Sequence, residues 1–249
     1  MLLDKHRRDW DELGELDPFW AVLSDRSRQF GRWELKEFFE TGEAEIDQLL
    51  SVAELLGYPA SRIRALDFGC GIGRLTRPLA TYFQECTGVD ISGTMVTKAR
   101  ELSGPLTNCS FIVNEGTGLS RVSNDSIDCV VSKLVLQHLP NKEAIQSCIR
   151  EFVRVLKKDG LLVFQLPRFI PIRNRLQFRR RAYACLRRIG FRHSFVYHRL
   201  HLNPMRMSYI PEEEVSRMIE FSGAKLLLIR PDPREPTEPI VSSTYFVTK

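Results

Sequence analysis

Three glycines and two aspartates in one short region have the types and the spacing of a ligand-binding loop. Gly69, Gly71 and Gly73 alternate directly after an apolar run, in the segment ALDFGCGIGRLT. Glycine loses much backbone entropy on folding, so this spacing indicates a tight turn or a ligand that approaches the backbone closely. Asp67 precedes the glycines, and Asp90 ends the next apolar run. An anion at Asp67 would oppose a pyrophosphate but suit a positively charged ligand, and a carboxylate at Asp90 can accept two ribose hydroxyl hydrogens.

The elements that must position these residues are alternating strands and helices. Apolar runs predict seven strands, at 63–68, 86–90, 109–113, 127–132, 161–166, 224–229 and 243–247. Helices are predicted over 45–56 and 74–83, from N-caps at Ser92 and Asn141, and from about 211 to 222, with a proline-bearing loop before the last strand. This alternation predicts an α/β fold with a doubly wound, seven-stranded, mostly parallel sheet. The glycine loop would lie at the carboxyl edge of that sheet, where ligands bind in open α/β folds.

The glycine spacing departs from that of a dinucleotide site. G-x-G-x-x-G would require a third glycine where this chain has Arg74. The segment instead resembles motif I of the class I S-adenosylmethionine-dependent methyltransferases, (E/D)-x-G-x-G-x-G. Four more segments resemble the family's next motifs, in the family's order: GVDISGTM (88–95), FIVNEG (111–116), SIDCVVSKLVLQHLP (126–140) and LKKDGLLVFQLP (156–167). The resemblance covers 63–167 and, more loosely, 208–249, and it implies a Rossmann-like methyltransferase fold with S-adenosylmethionine as cofactor.

The resemblance also implies a role for individual positions. Asp67 would lie near the methionine amino group of the cofactor, and Asp90 would hold the ribose hydroxyls. Glu115, where the family more often has aspartate, would face the adenine amino group. The other implied cofactor-binding residues are Gly69, Cys70, Gly71 and Gly73 under the cofactor, Ile91 and Met95 on the adenine side, Gly116 beside Glu115, and Ser132 and Leu134 near the sulfonium.

Methyl transfer needs few catalytic groups, because the sulfonium is already a good leaving group. The protein must mainly align the nucleophile and exclude water. A general base is needed only for a hydroxyl or a protonated amine. His138, just after the fourth predicted strand, is the candidate base, although a histidine there could instead order the loop. Three other histidines (193, 198 and 201) would reach the site only if their segment closes over it.

The charge distribution sets one segment apart. The chain has 249 residues and a net charge of +5, yet 168–207 contains eleven arginines and no lysine, aspartate or glutamate. Subtracting those eleven charges leaves about −6 on the rest of the chain. Part of this segment is amphipathic, with Phe178, Ala182, Cys185, Leu186 and Ile189 on one face. Such a basic helix is typical of a membrane-surface or anion-binding element, and a solvated lid without a specific partner is the alternative.

Several acceptor classes are disfavoured. After the fourth strand the chain has Ser132-Lys-Leu-Val, not the Asp/Asn-Pro-Pro-aromatic motif that stacks a flipped base. It also lacks a Pro-Cys motif for carbon-5 methylation of cytosine. The remaining prediction is a small-molecule or glycan-like acceptor, anionic or lipid-linked, methylated on oxygen or nitrogen. Two alternatives stay open: an RNA methyltransferase that uses the arginines, and a protein that binds the cofactor without transferring the methyl group.

The six cysteines are scattered without metal-ligand spacing, so no metal site is predicted. We expect reduced cysteines and a cytoplasmic protein, because disulfides are rare in that compartment. Along the chain we expect an N-terminal helical cap at 1–57, a cofactor-binding core at 58–167, a basic lid or substrate insertion at 168–207, and a C-terminal completion of the sheet at 208–249.

Overall fold

A computed structural model describes residues 2–232 and 240–249 of the chain. Its strands are β1 Arg64–Phe68, β2 Glu85–Asp90, β3 Cys109–Val113, β4 Ile127–Ser132, β5 Leu156–Phe169, β6 Lys225–Pro231 and β7 Val241–Thr248. They form one seven-stranded sheet in the order β3-β2-β1-β4-β5-β7-β6. The first five strands pair in parallel, and β7 runs antiparallel to both β5 and β6. The predicted doubly wound, mostly parallel sheet is confirmed.

The helices flank this sheet and precede it. They are α1 Leu2–Leu16, α2 Pro18–Val22, α3 Leu35–Leu56, α4 Thr76–Tyr82, α5 Gly93–Leu102, α6 Lys142–Val155, α7 Ile172–Arg175, α8 Phe178–Arg188, α9 His193–Leu200 and α10 Glu212–Phe221, with 3-10 turns at Arg26–Arg28 and Leu136–His138. Both predicted N-caps are confirmed. The Ser92 side chain accepts from the backbone N–H of Met95, and the Asn141 side chain accepts from that of Ala144.

Apolar side chains fill both faces of the sheet, as a mostly parallel sheet requires. On one face, Phe152 of α6 packs in a cluster with Phe68 and Leu162. On the other face, Leu50 of α3 and Leu79 of α4 lie in a second cluster with strand residues. The N-terminal aromatics form a third cluster that includes Trp20, Phe38, Phe39 and Tyr197. This cluster also contains Ile72 and Met95, so the N-terminal aromatics pack onto the cofactor-binding core.

One strand is longer than the apolar pattern predicts. The prediction placed the fifth strand at 161–166, whereas β5 spans Leu156–Phe169. Helix α6 ends at Val155, and Leu156 already pairs with Ile127 across an irregularity in the ladder. Asp159 has a φ of 58°, so the chain turns sharply within this irregular region. The predicted proline-bearing loop falls largely on 233–239, which lie outside the described residues.

The arginine-rich segment folds as α7, α8 and α9 and is attached to the N-terminal helices. Tyr183 of α8 donates a 2.8 Å hydrogen bond to Glu12 of α1. The Tyr197 side chain is fully buried, and its hydroxyl donates to Asp17 at 3.0 Å. Within the part of the chain that the structure describes, no helix combines the length and the apolar character needed to cross a bilayer.

Candidate active site

A cavity opens at the carboxyl edge of the sheet, beside the neighbouring strands β1 and β4, between which the strand order reverses. We call it the first cavity, and its empty volume, which includes open solvent at the mouth, is about 880 Å³. Ten predicted site residues line it: Asp67, Gly69, Cys70, Gly71, Asp90, Ile91, Met95, Gly116, Leu134 and His138. This is the crevice in which open α/β sheets bind their ligands. The predicted motifs therefore converge on one cavity, although they are spread over more than seventy residues of the chain.

The glycines allow two close approaches in the floor of this cavity. Gly69 has a φ of +75°, and a Cβ there would lie 2.3 Å from Cγ2 of Val135. Gly71 has a φ of +54°, and its Cβ would lie 2.4 Å from Cγ2 of Val22. Side chains at these two positions would be strained and would also collide with their neighbours. The loop therefore needs glycine to pass between α2 and the segment after β4.

Asp90 links the glycine loop to the second strand. Its Oδ2 accepts from the backbone N–H of Gly71 at 2.9 Å, and its Oδ1 accepts from that of Ser92 at 2.8 Å. Burial raises the pKa of Asp90, and these backbone hydrogen bonds act in the opposite direction. Each carboxylate oxygen can accept more than one hydrogen bond, so capacity remains for ligand hydroxyls.

Asp67 is a buried carboxylate in the wall of the cavity. The residue is 3% exposed, and Thr76 donates a 2.7 Å hydrogen bond to its Oδ2. Burial is the main cause that raises the pKa of Asp67 to about 6. A cation near this carboxylate would favour its charged form. The site therefore suits a ligand that brings positive charge to Asp67.

Asp67→Asn is expected to stabilise the unliganded protein at neutral pH. The folded pKa of about 6 lies above the ordinary value of 3.8, so the wild-type protein loses stability as the pH rises through this window. A difference of about two units corresponds to about 3 kcal/mol near pH 7. Thermal or urea unfolding of both proteins near pH 4 and near pH 7 measures the effect. A stability gap of the same size at both pH values would contradict the assignment.

His138 lies at the other end of the first cavity, in the turn that follows β4. Its Nδ1 is 2.5 Å from the backbone carbonyl oxygen of Arg206. A carbonyl can only accept, so Nδ1 carries the proton and Nε2 keeps its lone pair. Burial lowers the pKa of His138 to about 4, which keeps the ring neutral at physiological pH. The side-chain amide nitrogen of Gln137 lies 3.4 Å from Nε2 and can donate to this lone pair. To accept a proton from a substrate, Nε2 must exchange this long contact for the substrate hydroxyl.

Three cavity residues from α1 were not predicted. His6 and Trp10 line the first cavity, and the Trp10 ring contacts His138 edge-on, with centroids 5.3 Å apart. Burial lowers the pKa of His6 to about 4, with a further contribution from the charge of His138. Leu3 lines the same wall, so three residues spaced at i, i+3 and i+7 share one helix face. The sequence spacing indicates that these residues share a helix face. It does not indicate that this face packs against the cavity, because neighbouring residues in the sequence carry no information on that contact.

The structure places three predicted residues outside the lining. Glu115 is exposed, because Asn114 donates its side-chain amide to the Gly116 carbonyl and the turn directs the intervening side chain outward. Ser132 is fully buried and donates to the Phe68 carbonyl at 3.1 Å, since its side chain points towards β1. Gly73 packs on Phe111, whose ring lies 3.2 Å from the position of a Cβ.

Arg74, which occupies the position of the third glycine in a dinucleotide-binding loop, forms an ion pair within the protein. Arg74 is 3% exposed, and its Nη2 lies 2.7 Å from Glu45 of α3. Lys133, after β4, pairs with the same Glu45 at 3.3 Å. Both cations that line the cavity therefore share the single carboxylate of Glu45.

Comparisons with known proteins agree with this fold and cavity. The family described as "Methyltransferase domain" matches residues 66–164. An uncharacterised methyltransferase from a Geobacillus species is 31% identical over 175 residues, which is 70% of this chain and 74% of the relative. A 2-methyl-6-phytyl-1,4-hydroquinone methyltransferase from a Synechocystis species is 31% identical over 159 residues, 62% of this chain and 47% of the relative. The chain spans about half the length of the first two curated relatives, 47% and 48%.

Solved structures show the same fold at low sequence identity. A SAM-dependent methyltransferase from Leishmania major superposes with a TM-score of 0.68 at 13% identity, covering 99% of this chain and 83% of that one. Magnesium protoporphyrin IX methyltransferase from Synechocystis, crystallised with bound SAM, gives a TM-score of 0.58 at 18% identity, covering 96% and 97%.

The sheet order and the acidic glycine-loop cavity define a Rossmann-like protein of the nucleoside-binding class. Within that class, the Geobacillus methyltransferase shows the family, because it is 31% identical and is covered over 74% of its length, and the family model matches the central part of the chain. The chain belongs to the class I S-adenosylmethionine-dependent methyltransferases. The cofactor of this family is S-adenosylmethionine.

Proposed function

We propose that this protein transfers a methyl group from S-adenosylmethionine to a hydroxyl oxygen of a small acceptor that carries an anionic group. The cofactor would lie in the first cavity, with its methionine amino group at Asp67 and its ribose hydroxyls at Asp90. Ile91 and Met95 would line the adenine side, and Leu134 would lie near the sulfonium. Asn114, rather than Glu115, would contact the adenine, because Asn114 and Gly116 both line the cavity.

His138 is the proposed general base. In the transfer, the acceptor oxygen forms a bond to the methyl carbon while the carbon–sulfur bond breaks and its electron pair stays on sulfur. The hydroxyl proton goes to Nε2 of His138. The observation that carries this proposal is the hydrogen bond from Nδ1 to the Arg206 carbonyl, which leaves the lone pair on Nε2 of a histidine that lines the cavity. A base of this kind serves a hydroxyl or a protonated amine, and a neutral amine would need none. We take the hydroxyl as the acceptor group to be tested.

The anionic group would bind in a second cavity next to the first. The second cavity has about 410 Å³ of open space and shares His6 and Trp10 with the first. Arg180 and Arg206 line it together with Lys5 and Asp9, which pair with each other at 2.7 Å. No carboxylate of the described residues lies within ion-pair distance of either arginine. Three cations against one anion favour a phosphate, carboxylate or sulfonate, and a lipid-linked acceptor with such a group also fits this chemistry.

The test compares pairs of hydroxyl compounds, with and without a phosphate or carboxylate, as acceptors of labelled methyl groups from the cofactor. The anionic member of a pair should have the higher kcat/KM. Arg180→Gln should raise its KM by about tenfold or more, because a charge-assisted hydrogen bond contributes roughly 1.5–3 kcal/mol. The KM of the neutral member should not change.

Arg199→Gln is the matched control, because Arg199 is exposed on α9 and lines neither cavity. Equal effects of Arg180→Gln on charged and neutral acceptors would refute the anion site. Methylation of amines with no hydroxyl compound accepted would refute the proposed acceptor atom.

A further inference from the structure

Helix α8 presents an apolar stripe to solvent. Phe178 is 63% exposed and Ile189, directly after the helix, is 66% exposed. Ala182 and Cys185 lie between them and are also exposed. The spacing of these four residues, at i, i+4, i+7 and i+11, places them on a single helical face. The apolar face that the sequence predicts is therefore real, but it points away from the protein.

The opposite face of α8 fixes this orientation. Tyr183 is 3% exposed and donates to Glu12 of α1, and Arg187 pairs with the same carboxylate. Arg180, on the same inward side, lines the second cavity. Turning the stripe inward would break these contacts and leave Glu12 without its partners. The stripe is thus held at the surface by the packing of the other side of the helix.

The surface around the stripe is also rich in exposed apolar side chains and arginines. Of the fourteen large apolar side chains that are exposed among the described residues, eight lie between 169 and 200: Phe169, Ile172, Leu176, Phe178, Ile189, Phe191, Phe195 and Leu200. Arg179 lies on one flank of the stripe, and Arg181 and Arg188 lie on the other, and all three are exposed. No acidic residue occurs anywhere in 168–207. Apolar patches of this extent on a protein surface mark interaction sites.

We propose that the outward face of α8 docks on an anionic lipid bilayer. A helix with an apolar stripe and arginines on both of its flanks matches a membrane interface, with apolar side chains in the acyl boundary and guanidinium groups at the phosphates. The charge complementarity favours a lipid surface over a second copy of this positively charged face. Nucleic acid would be bound by the arginines but gives no reason for the exposed aliphatic residue Ile189 in the stripe.

This docking goes beyond the proposed methyl transfer, and it would place the second cavity close to the bilayer surface. Arg180 and the second cavity lie on the inward side of the same helix, one helix diameter, about 10 Å, from the docked face. An acceptor that resides in the bilayer, with an anionic head group, would then reach the second cavity without crossing bulk water. The contact is peripheral, since the described helices include none that could span the bilayer.

Vesicle binding measures the proposal directly. Cys185 lies in the stripe and is the exposed member of the six cysteines, so it can carry an environment-sensitive fluorophore. Vesicles of phosphatidylcholine with about one third phosphatidylglycerol should shift its emission to the blue, and pure phosphatidylcholine should have a much weaker effect. Cosedimentation of the unlabelled protein with the same vesicles controls for an effect of the label.

Two double variants separate the electrostatic contribution of the arginines from the contribution of the apolar stripe. Arg181→Gln with Arg188→Gln should weaken vesicle binding by about thirtyfold, because each charge near the surface contributes about 1 kcal/mol. Phe178→Ser with Ile189→Ser should weaken it by at least about tenfold through the lost apolar contact. The matched controls are Arg150→Gln on α6 and Leu55→Ser on α3, where Leu55 is 88% exposed, and both should bind vesicles like the wild type.

Other outcomes would overturn the proposal. The first is that the protein does not sediment with anionic vesicles, and the second is that the control variants lose as much binding as the stripe variants. The third is that an oligouridylate binds more tightly than vesicles, independently of Phe178 and Ile189. The fourth is that the protein forms a dimer that buries this face and that dissociates in the stripe variants. Calorimetric binding of S-adenosylmethionine, unchanged in every variant, shows that they fold. Because vesicle binding is read without methyl transfer, its failure and a failure of the proposed function are distinguishable.

Discussion

Replacing Asp90 with alanine is expected to weaken binding of S-adenosylmethionine by at least about a hundredfold, because hydrogen bonds to a charged group contribute roughly 1.5–3 kcal/mol each. Two ribose hydroxyls would lose a charged acceptor. The variant also removes the hydrogen bond from Gly71, so the glycine loop loses its tie to β2. Isothermal titration calorimetry with the cofactor and with S-adenosylhomocysteine measures the effect.

Glu115→Ala is the matched control for this prediction. The family resemblance places Glu115 at the adenine, whereas the structure leaves its side chain exposed and outside the first cavity. The control variant should therefore bind the cofactor like the wild type. Undiminished binding by Asp90→Ala would refute the ribose assignment, and a large loss in Glu115→Ala would restore the adenine contact that the resemblance implies.

Replacing His138 with asparagine is expected to lower kcat by about a hundredfold to ten-thousandfold, which is the usual contribution of a general base. The asparagine amide can still donate to the Arg206 carbonyl, so the turn after β4 should keep its conformation. Binding of S-adenosylmethionine should not change, because the proposed contacts of the cofactor lie elsewhere in the cavity. Single-turnover rates with labelled cofactor separate the chemical step from binding.

The pH dependence adds a second readout for His138. Only the neutral ring can accept a proton, and burial lowers the pKa of His138 to about 4. The wild-type rate should therefore stay level down to mildly acidic pH and fall as the pH approaches that value. His198→Asn, which removes a histidine that packs on Phe30 outside both cavities, should have the wild-type rate. An unaltered kcat in His138→Asn would show that His138 only orders the loop.

The parts of the fold that the sequence predicted are those set by local patterns. Apolar runs bounded by turn residues located all seven strands, and the side-chain oxygens of Ser92 and Asn141 located two helix starts. The acidic residues and glycines of the loop were found because backbone strain and ligand charge restrict the residue types at those positions. Strand ends were less predictable, as in β5, where pairing across an irregularity extends the strand.

The parts that the sequence did not predict depend on contacts between distant segments. Trp10 and His6 reach the cavity only because α1 folds over the edge of the sheet, more than a hundred residues from His138 along the chain. The second cavity forms between α1 and α8 and has no single sequence motif. The outward orientation of the apolar stripe on α8 follows from the partners of Tyr183, and periodicity alone does not distinguish an inward face from an outward one.

A crystal structure with bound S-adenosylhomocysteine tests the central assignment most directly. We expect density for the nucleoside in the first cavity, with both ribose hydroxyls within hydrogen-bond distance of Asp90, the amino group near Asp67 and the sulfur directed towards His138. A nucleoside bound elsewhere, or bound in this cavity with its ribose away from Asp90, would contradict the account.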